Sequence, residues 1–406
     1  MVNYQYQKLA QNVFSKAKLH VRHDDTRTQN MNIPFNRPCW VGNETALIAE
    51  AFANMSIAGD GPFGKQTQTQ LEEQLGVEKV LLTTSCTHAL EMAAILLNLQ
   101  PGDEVIVPSY SFVSTALAFV MHGAKPVFAD IRSDTFNIDE TKLESLITPR
   151  TRAIVLVHYA GVGCEMDSIM DTVKRHNLIL IEDNAHGLYG KYKGKYLGTF
   201  GTFATQSFHE TKNITCGEGG ALLINDSFYI ERAEIIREKG TNRSRFFRGE
   251  VDKYTWVDKG SSYVISDILA AFLYAQLNEA NKIQIKRQTI WNYYYEHLKD
   301  WAIANNVRLP IIPEHCEQAY HMFYLLMPSL EIRTHFINYL KEKGISAVFH
   351  YLPLHKSDMG RKLGGEQYHC PITENVSNRL VRLPFFNDIT EEELGMVIET
   401  ILKHKV

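Results

Sequence analysis

Two residues with complementary chemistry, Asp183 and Lys212, each follow a short apolar run of the sequence. The first run is Leu178–Ile181 and the second is Phe203–Phe208, and turn residues bound both. Such runs are typical of buried strands in a parallel sheet. Because ligands of open α/β sheets bind outside the carboxyl ends of the strands, we expect both side chains to project into one crevice.

An acid and an amine in this arrangement suit pyridoxal phosphate. The lysine of such a site forms a Schiff base with the cofactor aldehyde, and the carboxylate keeps the pyridine nitrogen protonated, so that the ring can accept electrons. The alternative is that Asp183 caps a helix and Lys212 is a solvated loop residue, because charged residues are mostly exposed. The pairing of the two residues at strand ends supports the cofactor hypothesis more than either residue would alone.

A third segment, Ser85-Cys86-Thr87, lies between a predicted strand and a predicted helix. Free backbone N–H groups and the helix dipole make such a junction a natural phosphate site. The hydroxyl groups of Ser85 and Thr87 can add hydrogen bonds. The alternative is an ordinary helix N-cap, which is the usual role of serine or threonine at this position.

Composition sets limits on what the chain does. Its 406 residues suffice for one large and one smaller domain, and 45% hydrophobic with 22% charged residues is ordinary for a soluble globular protein. The net charge of −4 gives no electrostatic reason to expect nucleic acid or an anionic membrane as a partner. No apolar run approaches the roughly 18–20 residues of a spanning helix, and no secretory signal is evident.

The six cysteines are scattered without a paired CxxC spacing; they are Cys39, Cys86, Cys164, Cys216, Cys316 and Cys370. Reduced thiols in a cytoplasmic protein are therefore expected, and a metal site is not.

Strands and helices alternate along most of the chain, which predicts a mostly parallel, doubly wound sheet. The predicted strands are Val80–Thr83, Val105–Val107, Pro126–Asp130, Ala153–Val157, Leu178–Ile181 and Ala221–Ile224. The predicted helices are Thr87–Leu97, Ser114–His122, Thr141–Ile147, Met166–His176 and Phe228–Lys239.

A long helical stretch, Ser266–Tyr294, should bridge two domains. We therefore predict an N-terminal extension over residues 1–30, a large cofactor-binding domain over 31–269 and a small C-terminal domain over 270–406. The small domain is predicted to be α+β, with strands at Tyr320–Leu326 and Ala347–Tyr351 and helices at Ile332–Lys343 and Thr390–Lys403.

Several segments together resemble the sugar-nucleotide aminotransferases of the DegT/StrS type, which are fold-type I enzymes dependent on pyridoxal phosphate. The resemblance runs from about Ile33 to the C-terminus. The segments that carry it are Leu81–Thr87, Val107–Thr115, Val157–Gly161, Glu182–His186, Ser207–Gly220, Arg237–Arg243, Gly260–Tyr263 and His350–His355.

The resemblance implies roles around the cofactor. Lys212 would carry it and move the substrate proton, and Asp183 would face the pyridine nitrogen. The remaining implied cofactor contacts are Ser85, Cys86 through its backbone, Thr87 and Ser207 at the phosphate, Phe112 flat against the ring, and His186 in support. The alternatives are a buried strand serine for Ser207, a core phenylalanine for Phe112 and a structural histidine for His186.

The resemblance also implies a homodimer with shared active sites, in which the basic, aromatic segment 240–262 reaches the neighbouring subunit. There Gly260-Ser261-Ser262-Tyr263 departs from the Trp-Asn pair common in the wider family, whose asparagine touches the phosphate. Ser262 is expected to make a similar but shorter contact.

Three residues are implied to face the sugar: Asp60 in the Gly59–Pro62 turn, and Tyr351 and His355, which bracket a Leu-Pro-Leu turn. The alternatives are a plain turn, a half-buried tyrosine and a surface histidine.

The implied reaction transfers an amino group from glutamate to C4 of dTDP-4-dehydro-6-deoxy-D-glucose, giving dTDP-4-amino-4,6-dideoxy-D-galactose. Alternatives are the glucose-configured epimer, amination at C3, a dehydratase or other lyase, and a regulator that binds the cofactor without turnover. Relatives that act as sugar dehydratases have histidine in place of Lys212, so the lysine favours transamination.

Overall fold

A seven-stranded sheet is the central element of the computed structural model, which describes residues 32–405. The predicted extension 1–30 lies outside the described residues. The strands are β1 (Lys79–Thr83), β2 (Glu104–Pro108), β3 (Lys125–Ala129), β4 (Thr151–Val157), β5 (Ile179–Asp183), β6 (Lys191–Tyr192), β7 (Lys195–Tyr196), β8 (Phe203–Ser207), β9 (Gly220–Ile224), β10 (Cys316–Glu317), β11 (Tyr324–Leu326) and β12 (Leu380–Arg382).

The strand order in the large sheet is β1-β9-β8-β5-β4-β2-β3. From β8 to β3 every neighbouring pair is parallel, whereas β9 runs antiparallel to both β1 and β8. The predicted α/β class with a mostly parallel, doubly wound sheet is therefore confirmed. The carboxyl ends of β4, β5 and β8 meet at one edge, where Asp183 ends β5.

Helices cover the sheet and build the C-terminal part. They are α1 (Glu44–Ala53), α2 (Pro62–Leu75), α3 (Cys86–Leu96), α4 (Ser114–Met121), α5 (Leu143–Leu146), α6 (Met166–His176), α7 (Ile230–Arg237), α8 (Arg243–Phe247), α9 (Asp267–Asn278), α10 (Ala280–Ala304), α11 (Leu330–Glu342), α12 (Asp358–Lys362), α13 (Pro371–Arg379) and α14 (Glu391–Leu402). No helix within residues 32–405 is long and apolar enough to cross a membrane.

Both faces of the sheet are buried, as the near-continuous apolar runs of the strands require. On β2, Val105 and Val107 belong to the core formed with α3 and α4, whereas Ile106 belongs to the core formed with α6. On β4, Val155 faces the first core and Ile154 the second. This two-residue alternation follows from the pleat of a strand.

A separate core belongs to the C-terminal part and includes Tyr294, Phe323, Phe336 and Val397. Ile33, close to the start of the described chain, also packs in this core. Helix α9 packs instead on α1 and α2 in the large-domain core. The chain therefore passes from the large-domain core to the C-terminal core within α10, which is C-terminal to the predicted boundary near 270. The domain limits themselves remain a prediction.

The two predicted C-terminal strands differ from the structure. Of the strand predicted at Tyr320–Leu326, only Tyr324–Leu326 forms β11. The guanidinium of Arg287 donates hydrogen bonds to the carbonyl oxygens of Tyr320 and His321 at 2.9 and 2.6 Å. In addition, Tyr320 has a φ of +51°, which is not a strand conformation. The strand predicted at Ala347–Tyr351 is wrong, since only an isolated bridge joins Val348 to β12.

Strand β9 packs closely against the turn before α3, and Gly220 allows it. A Cβ atom at position 220 would lie 2.3 Å from the carbonyl carbon of Ser85 and 2.4 Å from the nitrogen of Cys86.

We expect Gly220→Ala to lower the free energy of unfolding, measured by chemical denaturation, by about 1–3 kcal/mol, which is the usual cost of overpacking. The matched control is Gly395→Ala in α14, where a Cβ meets nothing within 4 Å. That variant should gain about 0.5–1 kcal/mol, and equal effects at both positions would contradict the packing argument.

Candidate active site

A cavity of about 500 Å³ lies at the carboxyl ends of β4, β5 and β8, a size ordinary for small-molecule sites. It brings together these predicted residues: Ser85, Cys86, Thr87, Phe112, Asp183, His186, Ser207, Lys212 and Tyr351. The expected crevice at the strand ends is therefore present, and Asp183 and Lys212 share it.

Lys212 lies in the turn that follows β8, where its backbone N–H donates to the carbonyl of His209 at 2.9 Å. Burial lowers the pKa of its amine to about 8, although the neighbouring Cys86 and Asp183 act against this shift. At about pH 8, half of the amine is therefore unprotonated. Such an amine can act as a nucleophile and as a proton carrier.

Asp183 projects from the last position of β5 into the cavity and is buried. Its carboxylate accepts hydrogen bonds from the hydroxyl of Thr115 at 2.7 Å and from the N–H of Ala185 at 3.3 Å. Burial raises the pKa of this carboxyl, and the two hydrogen bonds oppose the shift. A positive ring nitrogen placed beside it would favour the ionised form, since opposite charges do so at short range.

The turn at Ser85-Cys86-Thr87 forms the helix N-cap considered for it and also lines the cavity. The Ser85 hydroxyl caps α3 by accepting the N–H of His88 at 3.1 Å. Thr87 shares a hydrogen bond of 2.8 Å with Ser114, and burial raises the pKa of the Cys86 thiol. Because the N-terminal turn of α3 lines the cavity, its dipole favours a phosphate there.

Two histidine rings stack in the wall of the cavity. The centroids of His186 and His321 are 4.2 Å apart and their planes differ by 15°. His321 Nδ1–H donates to Asn213 Oδ1 at 2.9 Å, while His186 Nε2 lies 3.5 Å from the Tyr351 hydroxyl. Burial lowers the pKa of both histidines well below the usual value, so both rings are neutral.

Phe112 is 57% exposed and lies at the cavity, not in the core. The alternative of a core phenylalanine is therefore wrong. Its nearest aromatic neighbour is Tyr351, with the centroids 6.4 Å apart, so the ring leaves room for a planar group.

Three predicted residues do not line this cavity. Asp60 pairs with the buried guanidinium of Arg237. Ser262 is exposed and forms an isolated bridge with Glu238. His355 is buried, with its ring nitrogens 2.6 Å from Ser109 Oγ and 3.2 Å from Glu374, so the surface histidine considered as an alternative is wrong.

The residues present fit pyridoxal phosphate. A buried amine, a buried carboxylate, a helix N-terminus and an open aromatic face surround one cavity. The Nδ1 atom of His186 is enclosed without a hydrogen-bond partner among residues 32–405, as expected where a polar ligand completes a site. When bound, the cofactor supplies an electron sink. In such a site Lys212 Nζ would serve as the proton carrier, and the carboxylate of Asp183 would face the ring nitrogen.

Fold and site together define a pyridoxal-phosphate-dependent aminotransferase of fold type I. The chain belongs to the DegT/DnrJ/EryC1/StrS aminotransferase family, whose model matches residues 39–402. The predicted family and cofactor are thus confirmed.

Known relatives cover nearly the whole chain. The uncharacterized protein MJ1066 of Methanocaldococcus jannaschii is 33% identical over 378 residues, 91% of this chain and 97% of that protein. Among solved structures, Helicobacter pylori PseC, an aminotransferase involved in the biosynthesis of pseudoaminic acid, is 28% identical with a TM-score of 0.84, covering 92% of this chain and 99% of PseC. The putative sugar aminotransferase Spr1654 of Streptococcus pneumoniae, solved in PLP and PMP forms, is 26% identical with a TM-score of 0.85, covering 91% and 98%.

Sequence reasoning missed several residues of the cavity wall, namely His321, His350 and Arg382, and also the supporting Thr115 and Asn213. Thr115, Asn213 and His350 lie inside or at the end of segments that carry the family resemblance, which is a usable signal. His321 and Arg382 lie in segments without a motif.

The buried amine predicts an unusual pH dependence of stability. Below pH 8 Lys212 is protonated in both the folded and the unfolded chain, so the cost of burying its charge is fully present. Between pH 8 and about 10.5, the ordinary pKa of a lysine, the folded chain loses this proton first and the cost disappears. We therefore expect Lys212→Met to raise the melting temperature of the cofactor-free protein at pH 7, by an amount that shrinks as the pH approaches 10.5.

Thermal unfolding of both proteins across this pH range measures the effect. The exposed Lys174→Met on α6 is the control and should change little at any pH. A pH-independent difference for Lys212→Met would contradict the shifted pKa.

Proposed function

We propose that the protein transfers an amino group from glutamate to C4 of dTDP-4-dehydro-6-deoxy-D-glucose, giving dTDP-4-amino-4,6-dideoxy-D-galactose. The observation that carries the proposed transfer is the buried amine of Lys212, with its pKa lowered to about 8, in one cavity with the buried carboxylate of Asp183. A dehydratase of this family lacks that lysine.

The choice of sugar rests on resemblance. The segment Gly260-Ser261-Ser262-Tyr263 replaces the Trp-Asn pair of the wider family, as it does in the dTDP-4-amino-4,6-dideoxygalactose transaminase of enterobacterial common antigen synthesis. The glucose-configured epimer and a 3-amino sugar are the alternative products. The solved relatives support a sugar substrate more generally, since PseC acts in pseudoaminic acid biosynthesis and Spr1654 is a putative sugar aminotransferase.

We assign the protein residues the following tasks. Lys212 Nζ would move the proton between the substrate carbon and the cofactor carbon, and Asp183 would hold its negative charge opposite the ring nitrogen. Ser85, Thr87 and Ser207 bind the phosphate, and the open face of Phe112 covers the ring. Tyr351, half-buried beside His186, is assigned to the sugar.

A homodimer and a cytoplasmic location remain predictions. The dimer is supported by exposed aromatic rings in the segment implied to reach a neighbouring subunit, because Phe247 is 69% and Trp256 79% exposed. Exposed apolar patches of this kind mark interaction sites. The proposed contact of Ser262 with the phosphate would then be made across the subunit interface.

The reaction is tested by incubating the purified protein with glutamate and dTDP-4-dehydro-6-deoxyglucose and reading the product by NMR. We expect an amine at C4 with the galactose configuration. An amine at C4 with the glucose configuration, or at C3, would select one of the alternative products. Recovery of unchanged sugar nucleotide would refute the proposed substrate.

Two further measurements separate the other functions. If the protein is a transaminase, glutamate alone converts the cofactor to its amine form. A lyase reaction does not need this conversion. Lys212→Ala should lower turnover by roughly 10²–10⁴, the range that proton-transfer residues supply, and borohydride should no longer fix the cofactor to the chain. If this variant kept full biological output, a non-catalytic regulator would be the better explanation.

A further inference from the structure

A groove outside the active-site cavity is lined by cations and by no carboxylate. It has a volume of about 640 Å³ and lies between the C-terminal end of α10, the segment that follows it and α13. Arg308, Arg379 and Lys299 line it, whereas no aspartate or glutamate of residues 32–405 does. Lys299 pairs with Glu296 at 2.6 Å. The two arginines therefore give the groove its excess of positive charge, and its size is sufficient for a small organic ligand.

Arg308 has the least satisfied side chain of the groove. Within residues 32–405 its guanidinium forms neither a hydrogen bond nor an ion pair, and it lies over the ring of Phe136, whose centroid is 5.1 Å from Cζ. Arginines elsewhere on the described surface differ, since Arg175 and Arg248 each bind two carboxylates. The N–H donors of Arg308 are thus available to an anion from outside the chain.

Arg379 is held in place beside Arg308. Its Nε–H donates to the carbonyl of Met327 at 2.5 Å and its Nη1–H to Asn375 Oδ1 at 2.7 Å, while Nη2 has no acceptor in the described part of the chain. Burial lowers the pKa of Arg379, and the charge of Arg308 acts in the same direction. Two cations that repel each other in this way are both stabilised when one anion binds between them.

The carboxylate in this neighbourhood is already engaged. Asp134 and Arg308 both act on the pKa of Tyr324, so both lie near that ring. The two oxygens of Asp134, however, accept hydrogen bonds from Nε–H and Nη2–H of Arg132 at 2.9 and 2.8 Å. The anion must therefore come from a ligand, and a pair of guanidinium groups suits the several oxygens of a phosphate group.

A second groove adjoins the first and is electrically neutral. The two grooves share Tyr295, Pro310 and Ile311, and one face of α10 lines both. Among the described residues the charged groups that line the second groove are Lys191 and Glu317, which pair with each other at 3.1 Å. This groove therefore suits an uncharged polar group that is attached to the anion.

Aromatic rings and amides line the second groove. Tyr295 stacks on Trp291, with centroids 5.2 Å apart and planes that differ by 12°, and Tyr320 meets Trp291 edge-on at 6.2 Å. The indole Nε1–H of Trp291 has no acceptor within residues 32–405. The amides of Gln288 and Asn292, one turn apart on α10, line the same groove. Aromatic rings that stack and amides that bond to ring edges are the groups with which proteins bind a nucleobase.

We propose that the two grooves together bind a nucleoside phosphate, with its phosphate at Arg308 and Arg379 and its base against Tyr295. A cationic groove next to a neutral aromatic one matches the order of parts in such a ligand. Inorganic phosphate would use only the first groove, and a plain sugar only the second. No residue that lines the first or the second groove also lines the active-site cavity, so this site goes beyond the proposed function and does not depend on it.

Binding is tested by isothermal titration calorimetry of the cofactor-loaded protein with dTDP and, separately, with inorganic pyrophosphate. We expect dTDP to bind more tightly than pyrophosphate, because it occupies both grooves. Arg308→Gln should weaken the binding of both at least about tenfold, as expected when a hydrogen bond to a charged group is lost, and Arg308→Lys should lie in between. The matched control is Arg175→Gln on α6, outside both grooves, which should change neither affinity.

Two further variants locate the base. The addition of dTDP should change the tryptophan fluorescence, and Trp291→Phe should abolish this change. Trp301→Phe is the matched control, because both indoles are 7% exposed but Trp301 lines neither groove. Tyr295→Ala should weaken the binding of dTDP and leave that of pyrophosphate unchanged.

Unchanged affinity for dTDP in Arg308→Gln, or no binding of dTDP to the unmodified protein, would overturn the proposed site. Pyrophosphate that binds as tightly as dTDP would overturn the position of the base. Loss of binding in both Arg308 variants, together with a lowered melting temperature, would mean a structural role for this arginine and would also count against the site. None of these measurements involves amino transfer, so a failure of the proposed sugar reaction leaves their result valid.

Discussion

The end of β5 is fixed by the buried carboxylate of Glu182. It accepts hydrogen bonds from His158 Nε2–H at 2.9 Å and from the N–H groups of Gly198, Phe200 and Gly201, each at 2.7 Å. His158 is oriented in turn, because its Nδ1 accepts the N–H of Cys164 at 3.1 Å. A fully buried charge is tolerated only with such complete pairing. Since neighbouring residues of a strand point to opposite faces, fixing Glu182 on one side directs Asp183 into the cavity on the other.

Burial has a consistent electrostatic effect inside the cavity. It lowers the pKa of Lys212, raises that of Asp183 and keeps His186 and His321 neutral. Each shift favours the uncharged form of its group, so the site is poised to gain stability from a ligand that brings charges of its own. A cofactor with a cationic ring and an anionic phosphate is such a ligand.

The parts of the fold that were predictable depend on local patterns. Helix Met166–His176 matches the structure residue for residue, and β5 and β8 lie where their apolar runs predict them. The C-terminal part was harder to predict, because distant side chains decide its backbone: Arg287 takes carbonyls that a longer strand would have used. His355 illustrates the same limit for the site, since its burial depends on Ser109 and Glu374, which no local pattern connects to it.

The order of strands in the large sheet has a consequence for how the chain folds. Strand β1 is the first of the sheet to be synthesised, yet its only partner in the sheet is β9, the last. Until β9 emerges from the ribosome, β1 and the turn at Ser85 have no ladder to join, and an unpaired apolar strand is prone to wrong associations. The turn at Ser85 is therefore completed only when Gly220 arrives beside it, and the wall that contains Tyr351 and Arg382 follows later still. The nascent chain thus carries Lys212 well before the walls of the cavity are complete around it.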